Sequence, residues 1–463
     1  MSGVRWKGPR RAAAVLAAAA AGLAPVPAAA QAPAADALTA AVAAATFDTA
    51  WATIGRAHYD TTYNGVDWNA VRAELGPRAA AARDNAQLRA VLGEMLGRLR
   101  QSHLAVIPGE AYAAVEAATA GGGDAGASGP PGSVGVEVRL VGGQVVVTRV
   151  DAGGPADRAG VRPGWAVDSV GRHSSAELLA ALARLPEPAA RTRAYQGALA
   201  VHGWMRGAAG EPVRVRFRDG RDRPVAVELA RAALRGEEVV MAGLPPMHVW
   251  LESRRVPAGG GAVAGVIRFN VWAPSLVGEF DRAVDELRGT DGIVIDLRGN
   301  PGGSAFMPAG VTGHFFPEPR LLGVMKVREG EWRVSANPRR VTADGRTVEP
   351  FAGPVAILVD ALSASASEFT AGGMQGVGRA RVFGETSAGA VLPSATRRLP
   401  NGDVLQYVTG DFALPTGKRF EGSGVVPDVA APPTRAELLA GRDPALDSAL
   451  RWIAEQDKRG ASR

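Results

Sequence analysis

Pro354-Val355-Ala356-Ile357-Leu358-Val359-Asp360-Ala361-Leu362-Ser363-Ala364-Ser365-Ala366-Ser367-Glu368 changes character halfway along. Its first part, Pro354 to Val359, is a continuous apolar run of strand length, as expected of a strand buried on both faces. The second part reads as a turn entering a helix that starts near Ser365. A serine at such a junction has its hydroxyl exposed by the turn, and the unpaired amides of the helix start can hold a developing oxyanion. Serines at this place also make ordinary helix caps, so the segment alone leaves both readings open.

Working outward, Gly292 to Leu297 is a second apolar run and Val263 to Phe269 another strand, with a helix at Ser275 to Leu287 between them. A strand at Arg381 to Phe383 follows the helix that begins near Ser365. Buried strands alternating with helices predict an α/β core. The run at 292–297 leads into Asp296-Leu297-Arg298-Gly299-Asn300-Pro301-Gly302-Gly303. Glycines at a strand end let a backbone amide approach a ligand closely. Pro301 has no N–H, so Gly302 or Gly303 must supply any oxyanion donor from this turn.

The flanks differ from this core. Leu38, Val42, Phe47, Trp51 and Ile54, then Leu88, Leu92, Met95, Leu96 and Leu99, recur at helical spacing, with Asp84 or Asn85 as an N-cap. Residues 119–133 have a linker composition. From Val134 the period is two, with hairpins turning at Gly142-Gly143 and Asp219-Gly220, and one or two helices between. Residues 186–211 look like an insertion there. Arg435 to Gln456 reads as one terminal helix.

The bulk numbers agree with several globular parts: 463 residues, 46% hydrophobic, 59 Gly and 32 Pro. Of the formal charge of +6, Arg5, Lys7, Arg10 and Arg11 precede residue 31 with no acid beside them, and removing them leaves +2. That argues against nucleic acid as the main partner. The same N-terminus, with apolar Ala12 to Leu23 and small residues at Ala28 to Ala30, reads as a secretory signal, so a secreted or periplasmic mature protein without an integral membrane segment is expected. With no cysteine, a thiol nucleophile and a cysteine-ligated metal are excluded. No His-Glu-x-x-His occurs, and no metal or other cofactor is expected.

Two further segments carry side chains suited to acyl transfer. Arg100-Gln101-Ser102-His103 offers a histidine that could take a proton from a serine, although spacing does not choose among the six histidines. Phe420-Glu421-Gly422-Ser423-Gly424-Val425-Val426-Pro427-Asp428 offers a carboxylate that could orient such a base, or one that is merely solvated.

Taken in order, the Asp296–Gly303 turn, the Ser363–Glu368 run, Gly384-Glu385-Thr386 and Gly424–Asp428 resemble the carboxyl-terminal processing peptidases, or tail-specific proteases, and their relative the tricorn core protease. The resemblance implies a mixed α/β peptidase core (a crotonase-like, ClpP-type β-β-α spiral) with an N-terminal helical segment and an inserted β-rich PDZ-like domain. It implies Ser365 as nucleophile and the amides of Ala366 and Gly302 as oxyanion hole. It places a chain-end-binding loop at Val134, Gly135 and Val136. In the Pro155–Gly164 stretch, Trp165 stands where the family has Asp. Many members use a Ser-Lys dyad, and that lysine aligns with Ala390; the chain's four lysines, 7, 326, 418 and 458, all lie outside that loop. The tricorn-type branch uses serine, histidine, serine and glutamate instead, which gives His103 as base, Glu421 as its support and Ser102 as the link between them.

The expected organisation is a signal peptide at 1–30, a helical part of the peptidase at 36–118, the PDZ-like domain at 130–235, the peptidase core at 236–432 and a C-terminal helix or tail at 433–463. Polypeptides are the expected substrates, unfolded or recognised at a chain end. The alternatives are a non-catalytic peptide or ligand binder, and another acyl-transfer enzyme such as an esterase; no Gly-x-Ser-x-Gly elbow surrounds Ser365, which disfavours the latter.

Overall fold

The computed structural model describes residues 38–109, 130–184, 190–241 and 246–461. The signal-like N-terminus and most of the expected linker lie outside them.

Three helices come first: α1 (Ala40–Ala57), α2 (Trp68–Ala80) and α3 (Asn85–Gly97). Asp67 and Asp84 cap the second and third by accepting amide hydrogens of their first turns. Phe47, Ile54, Leu75, Leu88, Leu92 and Met95 meet in one cluster, which Leu399 and Leu405 from far along the chain complete. After α3 the chain turns through Arg100 and His103, both at positive φ, into the short strand β1 (Ala105–Ile107).

A β-rich unit follows. Strands β2 (Val136–Val141), β3 (Gln144–Val150), β4 (Ala166–Val170), β5 (Pro212–Arg218) and β6 (Pro224–Ala230) form an antiparallel sheet in that order, with β2 at one edge. Its helices are α4 (Ser175–Ala183) and α5 (Ala190–Met205). Helix α5 lies on β2: a Cβ at Gly197 would stand 2.9 Å from Leu140, and His202 Nε2 accepts the Val138 amide at 3.0 Å.

The core is a six-stranded sheet. Strand β7 (Leu251–Gly259) is antiparallel to β8 (Ala262–Phe269). Beyond β8, strands β9 (Gly292–Asp296), β12 (Val355–Val359), β13 (Ala380–Gly384) and β17 (Val429–Ala430) run parallel to it and to one another. Between β9 and β12 the chain makes the hairpin β10 (Arg320–Val327) and β11 (Gly330–Ala336). After β13 come β14 (Ser394–Arg398), β15 (Val404–Val408) and β16 (Gly410–Ala413); β15 pairs with β1 and β16 with β10.

Period-two alternation sorts the core strands onto two faces. Ile293, Ile295, Val355, Ile357 and Val359 pack with helices α6 (Val277–Leu287), α7 (Met307–Thr312) and α8 (Ala366–Gly376). Val294, Ala356 and Leu358 pack on the C-terminal helix through Ala449 and Ile453. That helix corrects the sequence expectation: the single helix at 435–456 is two, α9 (Arg435–Leu439) and α10 (Pro444–Ala461). Gly441 at φ +71 ends the first, and Pro444 starts the second, where its missing N–H costs nothing.

Candidate active site

Two turns leave neighbouring parallel strands on the same side of the sheet. Asp296 ends β9 and Val359 ends β12, with Ile295 opposite Ile357. The turns that follow are tied together: Leu297 N donates to Leu358 O at 2.9 Å, Ala364 N to Asn300 O at 3.2 Å, Ser363 Oγ to Leu297 O at 2.8 Å and Ser367 Oγ to Asn300 O at 3.0 Å. The two motifs meet because parallel neighbours send their carboxyl ends the same way. A Cβ added at Gly302 would lie 2.7 Å from Ser365 Cβ, so only glycine fits against this serine.

Ser365 sits at φ +53, ψ −117, immediately before α8, and is 7% exposed. A non-glycine residue pays roughly 1–3 kcal/mol for such a backbone. Its amide donates to Ala390 O at 2.8 Å and to Glu368 Oε2 at 3.1 Å. Glu368, fully buried in the first turn of α8, also accepts from Ser387 Oγ at 2.5 Å, Gly389 N at 2.7 Å and Ala390 N at 2.8 Å. Burial pushes its carboxyl up to about 7, against the downward pull of those four donors. Glu368 was not assigned a function from sequence, yet Ser365-x-x-Glu368 has the spacing of a capping box, which is the signal that could have found it.

His103, the base expected from sequence, lies on the other wall. Ser102 Oγ is 2.8 Å from His103 Nδ1 and donates to Glu421 Oε2 at 3.0 Å; Ser102 N donates to Glu421 Oε1 at 2.7 Å. The expected chain Glu421–Ser102–His103 is therefore assembled side by side, with Nδ1 engaged. His103 Nε2 is buried without a hydrogen-bond partner among the described residues, Ser365 Oγ included. Burial lowers the imidazole to about 4 and raises Glu421 above the usual carboxylate range. A neutral ring with one fixed and one bare nitrogen is what a general base requires before substrate arrives. Other histidines are engaged elsewhere: His58 with Gln101, His202 with Val138, and His314 with buried Asp281.

One loop joins the walls. Ala390 N donates to Glu368 and the next amide, Val391 N, donates to Glu421 Oε2 at 3.2 Å. Ala390 thus contributes to this loop through its backbone amide and carbonyl.

The amides expected as oxyanion donors differ in their engagement. The Gly302 amide, expected from sequence, already donates to Asn300 Oδ1 at 2.9 Å, because the buried Asn300 side chain folds back over its own turn. The next amide, Gly303 N, and Ala366 N, the first of α8, have no acceptor among the described residues. Gly302 still matters sterically, as the residue that lets the turn touch Ser365. Val134, Gly135 and Val136 lie at the start of β2, with Gly135 at φ +75 and its amide on Ser133 Oγ at 3.3 Å.

A cavity of about 430 Å³ lies between the β-rich unit and the carboxyl ends of the core strands, lined in part by Glu137, Arg139, Arg268, Asp296 and Asp360. Its charges pair among themselves: Arg139 Nε to Asp360 at 2.6 Å, Arg268 Nη2 to Glu137 at 2.8 Å. Asp360 also accepts from Gly299 N at 3.0 Å and Leu362 N at 2.9 Å, so β2 is tied to both turns beside Ser365. Among the described residues, no group of three or more potential metal ligands occurs.

Residues 264–431 match the model of peptidase family S41, and residues 41–97 that of the tricorn protease C1 domain. Ser365 and Glu421 fall inside the first stretch; His103 falls outside both. A carboxyl-terminal-processing protease of Picosynechococcus sp. is 25% identical over 393 residues, 83% of this chain and 82% of that protein. The structure of a photosystem II D1 C-terminal processing protease shares the fold with TM-score 0.53 at 23% identity, covering 87% of this chain and 98% of that one. That of mature CPAF superposes with TM-score 0.60 at 12% identity, covering 91% and 98%.

Proposed function

The chain belongs to the carboxyl-terminal processing peptidases and is a serine-type hydrolase acting on polypeptides, and from that premise we propose that Ser365, His103, Ser102 and Glu421 carry out its chemistry by an acyl-enzyme route. Ser365 Oγ attacks the scissile carbonyl while His103 Nε2 takes its proton. Negative charge collects on the carbonyl oxygen, and the amides of Ala366 and Gly303 receive it. The intermediate collapses, His103 gives the proton to the leaving amine, and the acyl-serine remains. Water, deprotonated by the same nitrogen, then releases the second product. Glu421 acts through Ser102: its charge steadies the imidazolium that forms at each proton transfer.

The observation that carries this reading is the asymmetry of His103, with Nδ1 held by Ser102 and Nε2 buried without a hydrogen-bond partner among the described residues. No lysine lies in the 384–391 loop to serve instead. The test is Ser365→Ala on an unfolded protein substrate: cleavage is lost with the circular dichroism spectrum unchanged, and retained turnover removes Ser365 from the reaction.

On the same reading the core is crotonase-like and the β-rich unit PDZ-like, recruiting chain ends by strand addition along β2. In favour are the edge position of β2 and the Val134–Val136 loop; the His202–Val138 contact means that α5 must yield the first edge amide to a ligand. The Arg-rich, then apolar N-terminus supports export to the periplasm or beyond. No described helix is long and apolar enough to cross a membrane.

A further inference from the structure

The turn that presents the Gly303 amide runs on through Ser304 and Ala305 to Phe306. It is pinned to Trp272, whose amide donates to Gly302 O at 2.9 Å and whose carbonyl accepts from Ser304 N at 2.7 Å. Phe306 is the residue before α7. The next residue, Met307, is 3% exposed and belongs to the core, whereas Phe306 itself is 57% exposed. Its ring meets that of Trp332 on β11, centroids 5.9 Å apart at 34°, and Trp332 is 41% exposed. Trp332 reaches this place on a sheet packed beside the nucleophile's helix, where Leu322 of β10 would lie 3.1 Å from a Cβ at Gly373 of α8.

Single exposed apolar side chains are ordinary and need no account. These two touch each other. The other large hydrophobics exposed among the described residues, such as Val240 and Val426, are aliphatic. Distance connects the pair to the chemistry. Gly302 stands against Ser365, and four residues of chain reach at most about 14 Å. An extended substrate advances about 3.3 Å per residue. The Phe306 backbone therefore lies within about four substrate positions of the turn that touches Ser365.

We propose that Phe306 and Trp332 form an aromatic subsite that takes an apolar side chain of the polypeptide substrate and so sets where the chain is cut. An aliphatic or aromatic side chain gains by leaving water against the two rings, whereas a carboxylate or an amide would be stripped of water with no donor or acceptor offered by the rings. The proposal rests on Ser365 being the nucleophile.

Two measurements separate it from that premise. In the first, a tryptic peptide mixture is digested and the new termini are sequenced by mass spectrometry. The wild-type profile is expected to show apolar enrichment at one position within four residues of the cut. Phe306→Ser and Trp332→Ser are expected to reduce that enrichment about tenfold, the scale of discrimination by an apolar pocket. In the second, the Ser365→Ala protein is titrated with a fluorescein-labelled apolar peptide, and adding Phe306→Ser should weaken binding about tenfold. Unchanged enrichment together with unchanged affinity overturns the subsite. No cleavage by wild type, with binding that still depends on Phe306, instead overturns the catalytic reading and keeps the subsite.

Discussion

The two walls of this site, the one that carries Ser365 and the one that carries His103, are built by different means. Ser365 is fixed by its neighbours in the sheet and by Glu368, only three residues away. His103 depends on a contact between Ser102 and Glu421, 319 residues apart in the chain. Nothing near His103 in sequence closes that distance. The helical segment docks as a body: Leu88 and Leu92 pack with Leu399 and Leu405, β1 pairs with β15, and Arg89 grips Asp403 with Nε at 2.9 Å and Nη2 at 2.7 Å. The geometry of Ser365 is thus part of the core, while that of His103 is conditional on docking.

The largest expected effects treat the walls as one catalytic unit. Ser365→Ala and His103→Ala should each lower kcat by on the order of 10⁴–10⁶-fold, and the double variant should be no worse than either alone. Additive losses in steady-state assays would mean that the two side chains do not act together.

The two carboxylates should then separate. Glu421→Gln keeps the shape and removes the charge that steadies the imidazolium; it should cost on the order of 10³–10⁴-fold in kcat with little change in Tm. Glu368→Ala leaves the Ser387 hydroxyl and the amides of Gly389 and Ala390 without their acceptor, while the Ser365 amide keeps Ala390 O. At about 1–3 kcal/mol for each buried orphan, stability should fall by at least about 3 kcal/mol, read by denaturant unfolding. Equal stability losses in the two variants would break the distinction.

Docking should be separable from the core as well. Arg89→Ala leaves buried Asp403 short of its cation; because Arg89 is 22% exposed, the cost should be on the order of 2 kcal/mol rather than the 3–5 of a fully buried pair. Limited proteolysis is expected to release the helical segment first, with activity lost before the core unfolds. Simultaneous loss of both would show that the segment is not a conditional part.

The smallest expected signal is a titration. His103 has its folded pKa depressed to about 4, so the unfolded chain takes up a proton at higher pH than the folded one. The contribution of the neutral ring is present above about pH 6.5 and is lost as pH falls toward 4. By NMR its Cε1–H resonance should hold steady from pH 8 to about 5. A midpoint above 6 would contradict a buried, neutral base.

The same contrast governs what could be read from sequence. The apolar runs at 292–297 and 354–359 declare buried strands, and the glycines and serines after them mark the turns, because that wall is local. The juxtaposition of Glu421 with Ser102 and His103 could be expected only through the order of motifs along the chain, since no spacing rule spans 319 residues. The hairpin of β10 and β11 was not foreseen: along β11, Glu331, Trp332 and Arg333 are all exposed, so no alternation marks a strand. The engagement of the Gly302 amide depends on where the Asn300 side chain folds, and composition is silent on that. The break between α9 and α10 was available in Gly441 and Pro444, but it was outweighed by helical spacing on either side.

The most direct test is exposure of the folded protein to a serine-reactive fluorophosphonate, followed by peptide mapping, in wild type and in His103→Ala. Labelling at Ser365 that disappears when His103 is removed is the result expected of a serine activated across the two walls. Labelling of Ser365 that persists without His103, or a folded wild-type protein that takes no label, would contradict it.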